Sequence, residues 1–225
     1  MRAFGIAEAV LGCCLAFAVA SGTAQAQTFS RLEPREQAVT LEVGLQSGIA
    51  TTVGYAAGVR VDALDRTVMP FLQATLLVVH PDLSDYAASG GAQVSLVRMG
   101  WFDLSAQAAF QVEGTANSIH RATALRTDLA LLAGHYAQSW FLLGEFGYDH
   151  AWMTYIKSTS FHRSFFPQPR DGWYANTAVN LRLGLKGGFK LGGAEVLVRV
   201  GANQSEGFNS LNLPYYATLG ANYRF

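Results

Sequence analysis

From residue 215 onward the chain reads Tyr-Tyr-Ala-Thr-Leu-Gly-Ala-Asn-Tyr-Arg-Phe, and every second residue is apolar or aromatic. Tyr215, Ala217, Leu219, Ala221, Tyr223 and Phe225 make one set; Tyr216, Thr218, Gly220, Asn222 and Arg224 make the other. Successive side chains of a strand point to opposite faces, so this period predicts a strand with one apolar and one wet face. Aromatics stand at both ends of the apolar face and small residues between them. Strands that cross a lipid layer carry that distribution.

The same period recurs along the chain, with apolar sets interleaved by polar or small residues. Val39 to Leu45 alternates with Thr40, Glu42 and Gly44. Val53 to Val61 alternates with Gly54, Ala56, Gly58, Arg60 and Asp62. A third segment, about Val68 to Val79, sets Leu72, Ala74, Leu76 and Val78 against Gln73 and Thr75, with Pro70 expected among its first residues because proline cannot donate to a ladder. A fourth runs from about Ala87 to Val97, where Ser89-Gly90-Gly91 predicts a bend or bulge. The clearest is the fifth, Phe102 to Glu113. The sixth alternates from Leu125 to Gly134, and the seventh runs from Trp140 to Tyr155. The eighth spans Val179 to Lys186 and the ninth Glu195 to Asn203, joined by a turn read as Gly187 to Gly193.

Residues 1–26 have a charged start at Arg2, an apolar run from about Ala9 to Ala20 and a small-x-small site at Ala24-Gln25-Ala26. This predicts a signal peptide cut after Ala26. Its apolar run is shorter than the roughly 20 residues of a spanning helix. Both cysteines, Cys13 and Cys14, fall inside it, so the mature chain is expected to have no disulfide and no thiolate metal site. Net charge is zero, which gives nucleic acid no electrostatic footprint. An exported, apolar-rich chain without long apolar helices has one membrane solution, a closed barrel that leaves no backbone group unpaired in lipid.

These features predict an all-β fold: a closed, antiparallel, up-and-down transmembrane β-barrel of ten strands, with eight as the alternative count. Residues 27–36 are expected as a periplasmic lead-in and 37–225 as the barrel. Tight turns alternate with longer connections at His80–Tyr86, Gly114–His120, Lys157–Asn176 and Gln204–Leu213, as short periplasmic turns and longer external loops do. On this pattern, from Gln37 to Phe225, the chain resembles the small bacterial outer-membrane barrels of the OmpA/OmpX type. The resemblance implies a location in the bacterial outer membrane, contact with its lipid and lipopolysaccharide, and recognition of the terminal strand, with Tyr223 and Phe225, by the barrel-assembly machinery.

The wet set carries the charges: Glu42, Asp62, Asp103, Glu113, Asp128, Glu145, Asp149 and Glu195 against Arg60, Arg126, Arg182, Lys186, Arg199 and Arg224. Side chains fill the interior of barrels this small, and charges short of water must be paired. The expectation is therefore a lumen charge network in a non-enzymatic barrel with a structural or loop-display role. The alternative is a narrow pore for small solutes or ions. A third reading is an outer-rim hydrolase of the protease or lipid A deacylase type. Asp149-His150, His80, Asp82 and Asp85 lie near an outer rim, and His162 and Ser164 share a loop. But adjacent Asp149 and His150 must face opposite ways, and a lone His-x-Ser is a weak motif, so no catalytic, cofactor or metal residue is assigned. The longest loop is basic and aromatic, with Lys157, Phe161, His162, Arg163, Phe165, Phe166, Arg170 and Trp173 as candidate external contacts.

Overall fold

A computed structural model of the chain describes residues 29–45, 49–77, 85–166, 169–176, 178–205 and 215–225. The expected signal peptide, with Cys13, Cys14 and Ala26, lies outside these residues. So do Gln27, Val78, His80, Asp82 and most of the last loop.

The strands are β1 (Gln37–Leu45), β2 (Ile49–Ala57), β3 (Val59–Val61), β4 (Arg66–Leu77), β5 (Tyr86–Met99) and β6 (Phe102–Ala116), followed by β7 (His120–Tyr136), β8 (Trp140–Ser158), β9 (Gly172–Ala175), β10 (Val179–Leu191), β11 (Ala194–Ser205) and β12 (Tyr215–Arg224). A short helix, α1 (Ser160–Phe165), follows β8. Neighbours pair antiparallel in sequence order, and β1 pairs with β12 from Ala38 opposite Arg224 to Leu45 opposite Ala217, which closes the sheet. β2 and β3 run along the same edge of β4, and β9 and β10 both pair with β8. Among the described residues the result is a closed ten-strand barrel.

The two faces follow the sequence period. Leu183 is 65 % and Val198 49 % exposed on the outside, whereas Ser105 and Gln107 are buried inside. An apolar belt of this extent, with Phe110, Leu129, Leu131, Phe146, Leu181, Leu185 and Leu219 also exposed, is unsuited to water.

Several local expectations differ from the structure. Ser89 to Gly91 stay in regular register, and the bulge of this strand falls between Ser95 and Val97. A second lies opposite Leu125 and Arg126 on β7, where Trp152 of β8 has no place in the β7 register. The expected loop Gly114–His120 is mostly ladder, with residues 117–119 alone outside strands. The Gly187–Gly193 turn shrinks to Gly192 and Gly193, because Gly187 and Gly188 continue β10 beside Phe141 and Val198. Pro70 sits in the fifth place of β4, not at its start. It supplies no ladder N–H, and here the partner strand is interrupted at Gly58.

The gap at Gly58 is used. Gly58 N–H donates to the Glu36 carbonyl at 2.8 Å, and the Arg35 N–H donates to the Gly58 carbonyl at 2.8 Å. A Cβ on Gly58 would lie 2.0 Å from the Glu33 carbonyl oxygen, so no other residue fits there. Pro34 and Arg35 form the centre of a β-turn closed by Glu36 N–H to Glu33 O at 3.1 Å, with Arg35 at φ +76°. This turn places the preceding residues against the barrel's inner wall.

Candidate functional site

The lumen is filled from two sources. The first is the charge layer on the inward face of β6, β7, β8, β10 and β11. Arg182 donates to Asp128 at 2.9 Å and to Glu145 at 2.8 Å; Arg199 grips Glu145 with two bonds of 2.6 and 2.8 Å. Toward the α1 end, Arg126 makes a fork onto Asp149 at 3.0 and 2.7 Å and approaches Glu113 at 3.6 Å. Such two-pronged guanidinium–carboxylate bonds fix orientation as well as charge. Gly147 makes room for the arrangement: a Cβ there would stand 2.6 Å from Arg182 Nη2. Arg199 also lies over the Tyr216 ring, 4.6 Å from its centre.

The second source is the chain's own segment 29–33, expected beneath the barrel as a lead-in but found inside it. Phe29 is 1 % and Leu32 2 % exposed. They pack with Ala38, Ala56, Met69, Phe71 and Ala109, an apolar patch on the otherwise wet face. Polar anchors come from the other side of the barrel. Ser30 donates to Glu195 Oε2 at 2.8 Å, Lys186 Nζ donates to the Phe29 carbonyl at 2.5 Å, and Arg224 reaches both Ser30 and Glu195. Asn222 adds a bond to Glu195 at 3.0 Å. Glu42, Lys186 and Glu195 are all buried on this inward face. At the mouth Arg31 bonds Glu33 at 2.5 Å and Asp103 at 3.4 Å, and Arg98 meets Asp103 at 3.5 Å. Partial burial alone would raise the Glu33 carboxyl; the Arg31 bond and the charges of Arg31 and Arg98 outweigh it and hold it below the ordinary carboxylate value.

Two of the expected lumen charges are elsewhere. Arg60 lies beyond the Gly58 interruption, exposed, and bonds Asp65 at 2.6 Å. Asp62 starts the exposed turn of residues 62–64 and approaches Arg60 at 3.6 Å.

At the opposite end, Thr159 caps α1 by accepting the His162 N–H at 3.3 Å. His162 packs on Phe166 and Phe161 on Phe165, at 5.0 and 5.1 Å between ring centres. Ser164 donates to the Phe161 carbonyl at 2.7 Å, and no bond joins it to His162 among the described residues. Asp149 is held by Arg126, while His150 points outward between Tyr148 and Trp152. Asp85 is bonded by Thr115 and by the Ala116 N–H. No group of three or more His, Cys, Asp or Glu could hold a metal among the described residues.

Asp171 ties the cap to the wall. It accepts the Ser158 N–H at 2.9 Å and pairs with Arg163. That backbone bond is the main reason its carboxyl lies below the ordinary value; slight burial opposes it, and the Ser158 side chain and the Arg163 and Lys157 charges add to the lowering. A lowered folded-state value means the tie is complete above the unfolded value and lost as pH falls through the folded one. The Ser158 amide resonance should therefore titrate with a midpoint below the ordinary aspartate value, and Asp171→Asn should abolish the transition. A midpoint at or above that value would contradict the tie.

No family model matches the chain, and no curated protein matches it. Three solved structures illustrate what it is similar to. The KdgM porin is 10 % identical, with 84 % of this chain and 99 % of that chain covered at a TM-score of 0.40. A major outer membrane protein from Thermus thermophilus gives the same values. The β domain of the Bordetella autotransporter Brka is 15 % identical over 84 % of this chain and 97 % of that one, at 0.37. The likeness is distant and assigns no role.

Proposed function

We propose that the chain is a non-enzymatic barrel of the bacterial outer membrane, closed to solutes by its own N-terminal segment, and that it serves the envelope by presenting the α1 cap at the surface. The observation that carries this reading is the seating of Phe29, Ser30 and Leu32 in the lumen on contacts from β1, β2, β4, β6, β10, β11 and β12. The lumen charges around this plug are of both signs and bonded to one another, unlike the rows of one sign that select ions. The exposed apolar belt and the closed hydrogen-bond ladder suit lipid.

The refolded chain is expected to be silent in planar bilayers and to show heat-modifiable gel mobility. Stable unitary currents that change when Arg182, Arg199 or Glu145 is neutralised would overturn the closed reading.

One observation favours a narrow pore as the second reading. Gln93, Gln107 and Gln111 line one side of the lumen, each with a buried amide atom that has no partner among the described residues. Leu substitutions there should leave a closed barrel unaltered in conductance and should block a pore that runs along this wall.

A further inference from the structure

We propose that Glu42 is a built-in seat for the α-ammonium of the processed chain: it binds the amine that a cut after Ala26 creates on Gln27, so the plug locks only once residues 1–26 are gone. This deepens the closed-barrel reading above and rests on it. Thr40 and Glu42 are inward residues of β1, 0 % and 5 % exposed. Among the described residues, every other buried carboxylate has a cation. Asp103 meets Arg31 and Arg98, Asp128 and Glu145 meet Arg182, Asp149 meets Arg126, and Glu195 meets Arg224. Glu42 is in no ion pair within 4.0 Å among the described residues. Its cross-strand partners are Gly220, which has no side chain, and Thr52, whose hydroxyl is joined to that of Thr75 at 2.6 Å. With Glu113 on one side and Arg199 and Lys186 on the other, seven lumen carboxylates face six cations, Arg98 being matched by Glu33. A buried carboxylate is costly without a positive partner, and the inner wall is one cation short.

Length and direction select the occupant. The plug climbs from the mouth as its residue numbers fall: the Glu33 turn lies at Gly58, Arg31 reaches Asp103, Ser30 reaches Glu195, and Lys186 holds the Phe29 carbonyl. β1 climbs from the same mouth as its numbers rise, starting from the Gln37 bond to Phe225. Phe29 and Thr40 stand at one level, since a Cβ on Gly54 would meet Phe29 Cζ at 3.0 Å and Thr40 Cγ2 at 2.8 Å. Glu42 is the next inward residue of β1, about 6.7 Å higher. Gln27 lies outside the described residues, but it is two residues beyond Phe29, a reach of at most about 7 Å. An amine on Gln27 therefore comes level with Glu42. In the uncut chain that nitrogen is a neutral peptide N–H carrying 26 further residues, and the bonded layer of Arg182, Glu145 and Arg199 closes the lumen. The cut supplies the missing charge and removes the obstruction together.

The test reads plug seating as the rate at which trypsin cuts after Arg31 in the folded barrel, with heat-modifiable gel mobility to show that each sample has closed. Chains of residues 27–225 are refolded with a free amine and with an N-terminal acetyl group, both carrying Gln27→Ala so that the amine cannot cyclise. The free-amine chain should resist cutting, and the acetylated one should be cut at least about tenfold faster, since a charged bond is being removed. Glu42→Gln should raise the rate of the free-amine chain by a similar factor, and acetylation should then add nothing. The uncut 225-residue chain should be cut as fast as the acetylated one. Equal rates for amine and acetyl overturn the proposal. So does an acetyl effect that persists in full in Glu42→Gln, because the amine then has another partner. An exported protein whose mass places its first residue anywhere but Gln27 overturns it as well. A free-amine chain that closes yet is cut as fast as an unfolded one would instead refute the plug reading beneath it.

Discussion

Glu145→Ala is expected to cost the folded barrel about 3–5 kcal/mol, the usual penalty of stranding a buried charge. Glu145 accepts both bonds that Arg199 makes to a carboxylate and one of the two that Arg182 makes. After its removal Arg182 keeps Asp128, while Arg199 keeps only the face of Tyr216 among the described contacts. Both guanidinium groups are buried, so water cannot replace the lost partner without opening the wall. Urea unfolding in lipid vesicles measures the loss. The companion variant Glu145→Met/Arg199→Met removes donor and acceptor together, and it should recover most of the stability because a buried pair and an apolar pair are close in net worth. A loss under about 1 kcal/mol for Glu145→Ala would mean that the charge layer is as wet as a protein surface.

The second large effect is on the other face. Val198→Arg and Leu183→Arg should each cost about 2–4 kcal/mol in vesicles, and Ala194→Arg no more than about 1 kcal/mol, because the penalty falls from the bilayer midplane to its edge. Val198 lies mid-strand between Gly187 and Leu219, and Leu183 between Phe146 and Ala202. Ala194 pairs with Tyr223 at the aromatic end of the terminal strand. Equal costs at all three positions would contradict a belt immersed in lipid. The Arg series reads depth and the Glu145 series reads interior pairing, so together they separate the two faces of one sheet.

The period of two made both faces legible in the sequence, because an error of one residue would have put Arg182, Arg199 and Glu145 into lipid. The same logic located the charge layer without naming its pairs, since pairing depends on which strands become neighbours across a closed cylinder. Three things escaped it. Bulges at Leu96 and Trp152 insert one residue without a sequence mark as plain as Gly-Gly. Arg60 keeps its place in the alternation yet leaves the lumen, because Gly58 and Pro70 interrupt the ladder before it. The plug carries no alternation of its own in Phe29-Ser30-Arg31-Leu32. Its trace was indirect: Ala56, Met69 and Phe71 occupy the wet parity, where apolar side chains need an apolar partner.

That plug has a consequence for the order of events. Its anchors are Lys186, Glu195 and Arg224, between 157 and 194 residues later in the chain. A segment that precedes β1 therefore finds its partners only after β10, β11 and β12 exist and β12 has met β1. Contacts this distant in sequence form late because the intervening loop must close first. Seating of Phe29 is thus a record of completed closure: an unfinished barrel holds a loose N-terminal arm, and a finished one has locked it away.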